Sequence, residues 1–209
     1  MPKVAVIILT WNGMKYLPDC LGSLINQDYE KVNREYIIVD NASSDGTVNY
    51  IKENFSEFSL IENDKNYGFD KGNNIGIKYA LDKGYDYIVL LNQDTVVDPS
   101  WLSELVKAAE SNKKIGAVQS LMLYWENANI RECDTRHEGG ARSESTRTFK
   151  VNSCGNELHF LGFGFCGGNQ KKLEIGNCKL EIISDITYAS SSAVLYRANV
   201  LKEVGCFDE

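Results

Sequence analysis

Short apolar runs alternate with helix-period segments through the first 120 residues. The run Val4–Leu9 is apolar on both faces, which is typical of a central strand in a parallel sheet. Behind it, apolar residues from Tyr16 to Ile25 recur on one face of an amphipathic helix. The same alternation predicts further strands at Tyr36–Val39, Phe58–Ile61, Tyr87–Leu91 and Gly116–Val118, and further helices at Thr47–Asn54 and Lys71–Lys83. This alternation predicts an α/β fold with a mostly parallel, Rossmann-like sheet flanked by helices.

The pattern weakens in the second half of the chain. Asp98 and Pro99 predict the N-cap and the first position of a fourth helix. From about Leu121 to Lys179, Gly, Asn, Ser and charged residues dominate, and we expect an irregular insertion with short hairpins. Regularity returns with a last strand predicted at Ile182–Val194 and a helix at Ala198–Val204. At 209 residues the chain suits a single domain.

Composition narrows the classes of function. The net charge of −7, without a Lys/Arg stripe, argues against nucleic acid as a partner. No stretch approaches the roughly 20 apolar residues of a membrane span, and the N-terminus lacks a cleavage site. We therefore expect a cytoplasmic protein, with peripheral contact at the inner face of the membrane left open.

The six cysteines are scattered without CxxC pairs, which predicts reduced thiols. A zinc site is the alternative, although the spacing of its residues matches no common template. Its ligands would come from Cys133, His137, Cys154, His159 and Cys166.

Polar segments follow three of the predicted strands. They run from Thr10 to Gly13, from Asp40 to Gly46 and from Asn92 to Thr95. Taken singly, each also fits a turn or a helix cap, since Asn12 and Asp45 are good caps. Ligands of open α/β sheets bind at the carboxyl ends of the strands, so three such segments at one edge favour a site.

Two carboxylates in these segments suggest specific roles. Asp94 follows a buried strand and offers the oxygen ligand that Mg²⁺ or Mn²⁺ takes when a diphosphate supplies the others. Asp40 lies at another strand end, where it can accept a hydrogen bond from a base N–H or a ribose hydroxyl. Its alternative role is to cap the following helix.

Several runs of the sequence resemble the family-two glycosyltransferases of the GT-A fold, in particular the bacterial rhamnosyltransferase-like members. The runs occur in the family's order and cover nearly the whole chain. They are Asp40–Thr47, Asn66–Gly76, Asn92–Thr95, Ser153–Gly155, Ser190–Arg197 and Val204–Glu209. The resemblance implies a nucleotide-sugar-binding part at 1–119 and an acceptor-side part at 120–209.

The resemblance also implies an activity and a set of contacts. A sugar would move with inversion from a UDP- or dTDP-linked donor, dTDP-rhamnose being favoured, to a hydroxyl of a saccharide or lipid-linked acceptor. Asp94 matches the last acid of the family's DXD metal motif, whereas Asn92 replaces the first acid. The implied donor contacts are Thr10, Asn12, Asp40, Asn41, Gly68, Lys71, Asn74, Asn92 and Asp94.

The family's general base follows a Gly-x-Phe-Asp-Glu run, which here begins at Gly205 and ends at Glu209. We therefore expect the base to lie beyond this chain, which would then be a fragment without full activity. Asp208 and Glu209 are the weaker candidates, because at a free terminus we expect them to be mobile.

Three other functions compete with this interpretation. Gly162–Gly167 matches GxGxxG, but no apolar helix follows it, as a dinucleotide-binding dehydrogenase requires. A sugar nucleotidyltransferase would need an Arg-containing, Gly-rich loop after the first strand, where Thr10–Gly13 is short and uncharged. A non-catalytic module that binds a sugar nucleotide or a glycan keeps the fold without turnover, and it stays as the alternative.

Overall fold

The computed structural model describes residues 1–123, 147–153, 156–158, 164–166, 172–175, 186, 189 and 191–209. The chain divides into two compact units. One comprises residues 1–119 and 191–209, and the other residues 120–190. The last strand and helix, which the sequence analysis grouped with the acceptor-side part, thus pack with the first 119 residues.

Strands and helices alternate in the first unit. Its strands are β1 (Val4–Thr10), β2 (Arg34–Asp40), β3 (Ser59–Glu62), β4 (Tyr87–Asn92), β5 (Ala117–Gln119) and β11 (Ala193–Arg197). Its helices are α1 (Leu17–Ile25), α2 (Thr47–Asn54), α3 (Gly68–Lys83), α4 (Trp101–Glu110) and α5 (Ala198–Val204), with a 3₁₀ turn at Lys31–Asn33. The described strands of the second unit are β6 (Met122–Leu123), β7 (Arg147–Ser153), β8 (Asn156–Leu158), β9 (Gly164–Cys166) and β10 (Lys172–Ile175).

The first unit contains a six-stranded sheet with the order β3-β2-β1-β4-β11-β5. Strands β1 to β4 pair in parallel, and β11 runs antiparallel to both β4 and β5. The sequence prediction of a mostly parallel α/β sheet is confirmed. In the second unit, β10-β7-β6 and β8-β9 form two small antiparallel sheets.

Burial on both faces explains the apolar runs of the central strands. In β1, six of the seven residues are buried, and in β4 five of six are buried. Helix α3 packs across β1 and β2, and glycines permit the close approach. A Cβ atom added at Gly76 would lie 2.6 Å from Cγ2 of Ile7, so a larger residue would push the helix off the sheet.

The fourth helix does not begin where the sequence predicted. Asp98 is not its N-cap, because α4 begins at Trp101 with Ser100 in the N-cap position. The Asp98 carboxylate instead accepts hydrogen bonds from the Ser100 amide (2.9 Å) and hydroxyl (2.7 Å). Asp commonly bonds its own backbone two residues on, and this turn delays the helix.

The last strand is also displaced from its prediction at Ile182–Val194. Ile186 and Ala189 have no regular structure, Ser191 and Ser192 form a turn, and β11 runs from Ala193 to Arg197. Pairing with β4 fixes these bounds, since Ala193 lies opposite Leu91 and Arg197 opposite Tyr87. The apolar pattern alone carried no information about this register.

Candidate functional site

The strand register brings the predicted polar segments to one edge of the sheet. Thr10 lies opposite Asp40 across the β1–β2 pair, and Asp40 lies opposite Glu62 across β2–β3. Asn92 lies opposite Leu9 on the other side of β1. Paired parallel strands are about 4.8 Å apart. The carboxyl edge, as we name the edge formed by Thr10, Asp40 and Asn92 with their following loops, is therefore a continuous polar rim.

The loop after β1 is held by the loop after β2. The Asn12 amide donates to Ser43 Oγ at 2.8 Å, and Asn12 Oδ1 accepts from the Ser44 amide at 2.9 Å. Asn12 has a φ of 49°, a left-handed conformation that Asn tolerates better than most residues. Asn12 thus shapes the rim through both its backbone and its side chain.

The Asp45 carboxylate also connects the loops that follow β1 and β2. Its Oδ2 accepts from the Met14 amide at 3.1 Å, and its Oδ1 accepts from the Thr47 amide at 3.1 Å. Burial would raise the pKa of Asp45, but the hydrogen bonds from Thr47 and Met14 outweigh it and lower the pKa below its ordinary value. A charged Asp45 therefore braces the start of α2, a role that the sequence analysis gave only as general capping.

Asp40 is buried and has one unpaired oxygen. Its Oδ2 accepts from the Ser43 amide at 2.9 Å, while Oδ1, also enclosed, has no hydrogen-bond partner. The helix after β2 has Gly46 in its N-cap position, so Asp40 does not cap it. A buried carboxylate oxygen without a donor is costly, and the fold offers no reason for it.

Asn41 and Gly68 join this rim to the start of α3. The Asn41 side chain donates to the Gly68 carbonyl at 2.9 Å and accepts from Asn63 at 2.8 Å. Gly68 has a φ of 81°, which favours glycine. A Cβ atom at Gly72 would lie 2.5 Å from Leu9 Cδ1 and 3.0 Å from Asn41 Nδ2. Asn41 is thus a buried link that holds α3 against the ends of β1 and β2.

The structure gives Asn74 and Lys71 partners in the last residues of the chain. Asn74 is buried, accepts from the Phe207 amide at 3.0 Å and donates to the Phe207 carbonyl at 2.8 Å. Lys71 lies 3.2 Å and Lys78 3.6 Å from the Glu209 carboxylate. In this structure the end of the chain, which we predicted to be mobile at Asp208 and Glu209, contacts α3 through Phe207 and Glu209.

The segment after β4 contains the predicted metal ligand. Asp94 is exposed, and among the described residues its carboxylate has no hydrogen bond or ion pair. The half-buried Asn92 donates its amide to the Ser192 carbonyl and accepts the Thr95 amide, which orients the segment. One free carboxylate at a rim suits Mg²⁺ or Mn²⁺ bound largely through a diphosphate. The described part of the chain has no metal site formed by protein ligands alone, since no cluster of three His, Cys, Asp or Glu residues occurs in it.

Gln93 was missed by the sequence analysis. Its Oε1 accepts from the Thr10 hydroxyl at 2.6 Å and from the Trp11 amide at 3.2 Å. Trp11 itself is 53% exposed beside the rim. A Gln within a polar segment has no distinctive sequence signal, and its partners lie more than 80 positions away along the chain.

An open cavity of about 510 Å³ lies at the opposite, amino edge of the sheet, where Tyr87 and Arg197 line it. The Arg197 guanidinium donates to the Tyr87 hydroxyl at 2.6 Å and to Glu110 at 3.4 Å. Because the chain itself satisfies these groups, cavity size is a poorer guide here than the unpaired groups of the carboxyl edge. We therefore locate the candidate site at the carboxyl edge.

The structure also bears on the competing interpretations. Gly164–Cys166 of the GxGxxG run forms β9 of a two-stranded antiparallel sheet, which is not the strand-to-helix turn of a dinucleotide site. The other zinc candidates, Cys133, His137, Cys154 and His159, lie outside the described residues.

Two further sequence expectations concern thiols and membranes. Cys20 and Cys206 are free thiols, and burial raises the pKa of Cys20 to about 12, so its thiol stays protonated. Among the residues that the structure describes, no helix has both the length and the apolar character to span a membrane.

Comparison with known proteins identifies the family. The family model for glycosyl transferase family 2 matches residues 5–176. An uncharacterized glycosyltransferase of Haemophilus influenzae is 32% identical over 135 residues, covering 63% of this chain and 39% of its own length. The poly-beta-1,6-N-acetyl-D-glucosamine synthase of Staphylococcus aureus is 31% identical over 118 residues, covering 55% of this chain and 27% of its own. The chain thus spans about two fifths or less of the length of these relatives.

Solved structures give the same fold. S. aureus TarS in complex with UDP aligns with a TM-score of 0.60 at 19% identity, over 96% of this chain and 48% of TarS. The mannosyltransferase PcManGT from Pyrobaculum calidifontis, solved with GDP-Man and Mn²⁺, has a TM-score of 0.50 at 26% identity, over 58% and 36% of the two chains. The GT-A fold implied by the sequence is confirmed, and the chain belongs to glycosyl transferase family 2.

Proposed function

We propose that this chain binds the donor of a glycosyltransferase, which moves a sugar from a nucleoside diphosphate to an acceptor hydroxyl. The observation that carries the proposal is the unpaired, buried Oδ1 of Asp40 at the carboxyl edge. Every other polar contact of that carboxylate is explained by the fold, so an absent donor group is the simplest reason for the orphan oxygen. Membership of glycosyl transferase family 2 supports a sugar nucleotide as the source of that group.

Asp40 would accept from a base N–H or a ribose hydroxyl. Its Oδ1 is enclosed, so the donor reaches it with a small displacement of the loop from Asn41 to Gly46. That loop contains Ala42 with a φ of 58°, a strained conformation for a residue with a Cβ atom. Thr10, Asn12 and Asn41 would complete the nucleoside site. Gly68 would lie near the base and diphosphate.

Asp94 would hold Mg²⁺ or Mn²⁺ on the diphosphate side, with Asn92 as a neutral ligand or as a group orienting the segment. Such an ion, when bound, neutralises charge that develops on the leaving diphosphate. The complex of PcManGT with GDP-Man and Mn²⁺ supports a metal in a related fold. Lys71 and Asn74 would act nearer the diphosphate, and Lys71 would need to leave Glu209 to reach an anion.

The transfer step would be a single displacement with inversion at the anomeric carbon. A carboxylate must accept the proton of the acceptor hydroxyl from within hydrogen-bonding reach. Glu209 is a weak candidate for this base. Hydrogen bonds from Asn74 and Lys71 lower its pKa, which makes it less basic. We therefore propose a carboxylate other than Glu209 as the base.

The donor is proposed as a UDP- or dTDP-sugar, with dTDP-rhamnose as the most specific version. The UDP-GlcNAc complex of TarS supports a uridine donor, whereas the GDP-Man complex of PcManGT shows that the fold accommodates a purine in that protein. The synthase of poly-beta-1,6-N-acetyl-D-glucosamine among the relatives supports an acceptor from cell-surface saccharide synthesis.

Calorimetry with UDP, dTDP and GDP, each with and without Mn²⁺ or Mg²⁺, tests the proposal. We expect UDP or dTDP to bind at least about tenfold more tightly with metal than without it. Metal-independent binding of all three nucleotides with equal affinity would contradict it. A product assay with the matching sugar nucleotide then distinguishes transfer from the alternative, a non-catalytic module that binds donor or glycan without turnover.

A further inference from the structure

Gln93 connects two loops that the proposed function assigns to different parts of the donor. It belongs to the segment of Asn92 and Asp94, yet its side chain reaches the loop after β1. Its Oε1 accepts from the Thr10 hydroxyl at 2.6 Å and from the Trp11 amide at 3.2 Å. Both donors converge on one oxygen, so a displacement of Gln93 disturbs Thr10 and Trp11 together.

The packing around this oxygen is close. A Cβ atom added at Gly13 would lie 2.5 Å from Gln93 Oε1 and 2.5 Å from Thr10 Oγ1. The glycine therefore leaves room for the Gln93–Thr10 contact, and Thr10 is 1% exposed. The Thr10–Gln93 hydrogen bond is thus partly shielded from water, which strengthens it electrostatically.

The loop after β1 is bound on its other side as well. Ser43 and Asp45 accept from the Asn12 and Met14 amides, so the loop from Thr10 to Met14 is fixed to the β2 side independently of Gln93. The loop is therefore held on one side by β2, and among the described residues Gln93 supplies its side-chain contacts to the segment of Asp94. Asp94 is the next residue after Gln93, so an ion held there fixes the backbone that carries the Gln93 side chain.

We propose that Gln93 is a positioning residue that couples metal binding at Asp94 to nucleoside binding at Thr10, Asn12 and Asp40. The inference rests on the proposed function. A metal ion bound at Asp94 would hold the segment after β4 in one conformation. Through its hydrogen bonds, Gln93 would then hold Thr10 and Trp11 in the positions that the nucleoside contacts. By linkage, the nucleoside tightens metal binding by the same factor.

Uridine isolates this coupling, because it cannot ligate the metal directly, and inorganic phosphate at one fixed concentration in every sample supplies the ligands that a diphosphate would give. We would measure the Mn²⁺ dissociation constant with and without saturating uridine, and the uridine constant with and without Mn²⁺. In the parent chain we expect each ligand to tighten the other about fivefold, near the lower end of known couplings. In Gln93→Ala we expect the factor to fall to about one.

Matched variants separate coupling from loss of structure. Gln93→Glu retains an acceptor for both donors and loses only the long contact from the Gln93 amide to the Trp11 carbonyl (3.5 Å), so its coupling factor should stay near that of the parent even though its added charge tightens Mn²⁺ itself. Thr10→Ser keeps the hydroxyl and should retain coupling, whereas Thr10→Val removes it and should weaken coupling. The Thr10 pair keeps the test decisive if Gln93→Ala does not fold.

Hydrogen exchange gives a readout that needs no metal. Gln93→Ala should speed exchange at the Trp11 amide, while the Met14 amide, held by Asp45, stays protected. Faster exchange with an unchanged coupling factor would overturn the proposal and leave Gln93 a purely structural brace. No mutual effect of uridine and Mn²⁺ in the parent would also overturn it. Failure of UDP to bind with Mn²⁺ at all would instead refute the proposed function.

Discussion

The two edges of the same sheet are both rich in charged and polar side chains, but they use them differently. At the amino edge, Glu35 accepts from Ser59 at 2.6 Å, from Lys83 at 3.2 Å and from the Tyr85 hydroxyl. At the carboxyl edge, Asp40 has an unpaired oxygen and Asp94 is exposed with no partner among the described residues. Polar content therefore does not distinguish a site from a structural network, whereas unmet hydrogen-bonding capacity does.

The pKa shifts of the amino edge show how fully its carboxylates are paired. Burial would raise the pKa of Glu35, but hydrogen bonds from Ser59, Tyr85 and Lys83 outweigh it and lower the pKa. The pKa of Glu110, at the same edge, is lowered by the hydrogen bond from Tyr87 and by Arg197. The charges of the amino edge thus serve stability, as does Asp45 at the carboxyl edge, whereas Asp40 and Asp94 keep acceptor oxygens available for a ligand. Mutations of these groups at the amino edge should lower stability and leave nucleotide binding unchanged, whereas mutations of Asp40 and Asp94 should do the reverse.

The largest expected effect is at Asp94. Asp94→Ala should weaken Mn²⁺-dependent binding of UDP about 100-fold, since even residues that only orient metal ligands are worth 10–100-fold. Its unfolding free energy should change little, because the side chain is exposed. Calorimetry with and without Mn²⁺ measures the UDP affinity, and denaturant unfolding measures the unfolding free energy. Asp82→Ala, which removes an exposed carboxylate from the far end of α3, is the control. Unchanged UDP affinity in Asp94→Ala with Mn²⁺ would refute the metal assignment.

The matching prediction at the amino edge concerns stability and pH. Glu35→Gln should lower the unfolding free energy at pH 7 by about 1.5–3 kcal/mol, the size of hydrogen bonds to a charged group. Because the pKa of Glu35 is lowered in the folded state, the unfolded state binds more protons. The contribution is therefore present above the unfolded pKa, about 4.3, and is lost as pH falls through the folded pKa.

Unfolding in denaturant at pH 7 and at pH 3 tests this prediction, with the exposed Glu57→Gln as the matched control. The two variants should differ at pH 7 and converge at acid pH, while both bind UDP as the parent does. A Glu35→Gln variant that is stable yet binds UDP poorly would erase the distinction between the two edges.

Asp40→Asn sharpens the comparison, with a smaller effect. The amide keeps an acceptor for the Ser43 backbone and removes a charge from a buried position, so stability should stay within about 1 kcal/mol of the parent. Nucleotide affinity should fall about tenfold, because the unpaired acceptor becomes a donor. Titration with UDP, deoxyuridine diphosphate and dTDP identifies the group that is recognised. A loss confined to UDP indicates the ribose 2′-hydroxyl, and an equal loss in all three indicates the base or the 3′-hydroxyl. A lowered melting point with unchanged affinities would instead assign Asp40 a structural role.

The sequence predicts the fold where the local and the tertiary signals agree. Helix α2 has its predicted bounds, Thr47–Asn54, because Asp45 and Gly46 mark its start. The prediction failed where neighbours in space decide. Asp98 bonds Ser100 and delays α4, and β11 begins at Ala193 because of its register with β4. Neither partner can be recognised from spacing along the chain.

For the site, sequence reasoning could find the edge but not its internal contacts. Thr10, Asp40 and Asn92 follow apolar runs, and the topology of parallel sheets brings such positions together. The acceptor role of Gln93 and the unpaired oxygen of Asp40 depend on loop conformation and on long-range partners, which residue types do not encode. The binding of Asn74 to Phe207 is of the same kind, since the two are separated by 133 positions.

The smallest expected effect lies where the last residues meet α3. Glu209 engages Lys71 and Lys78, which are both well exposed, and exposed ion pairs contribute little. Glu209→Gln should therefore raise UDP affinity only about two- to threefold, by freeing Lys71 for an anion, and the gain should disappear in high salt. Asp208→Asn is the neighbouring control.

Glu209→Gln also tests whether Glu209 is the general base, since losing a general base slows transfer 10²–10⁴-fold. Because Asn74 and Lys71 lower the pKa of Glu209 and so weaken it as a base, we expect no such loss. Slow transfer with normal UDP binding in Glu209→Gln would make Glu209 the base and extend the functional surface from the carboxyl edge to the end of the chain.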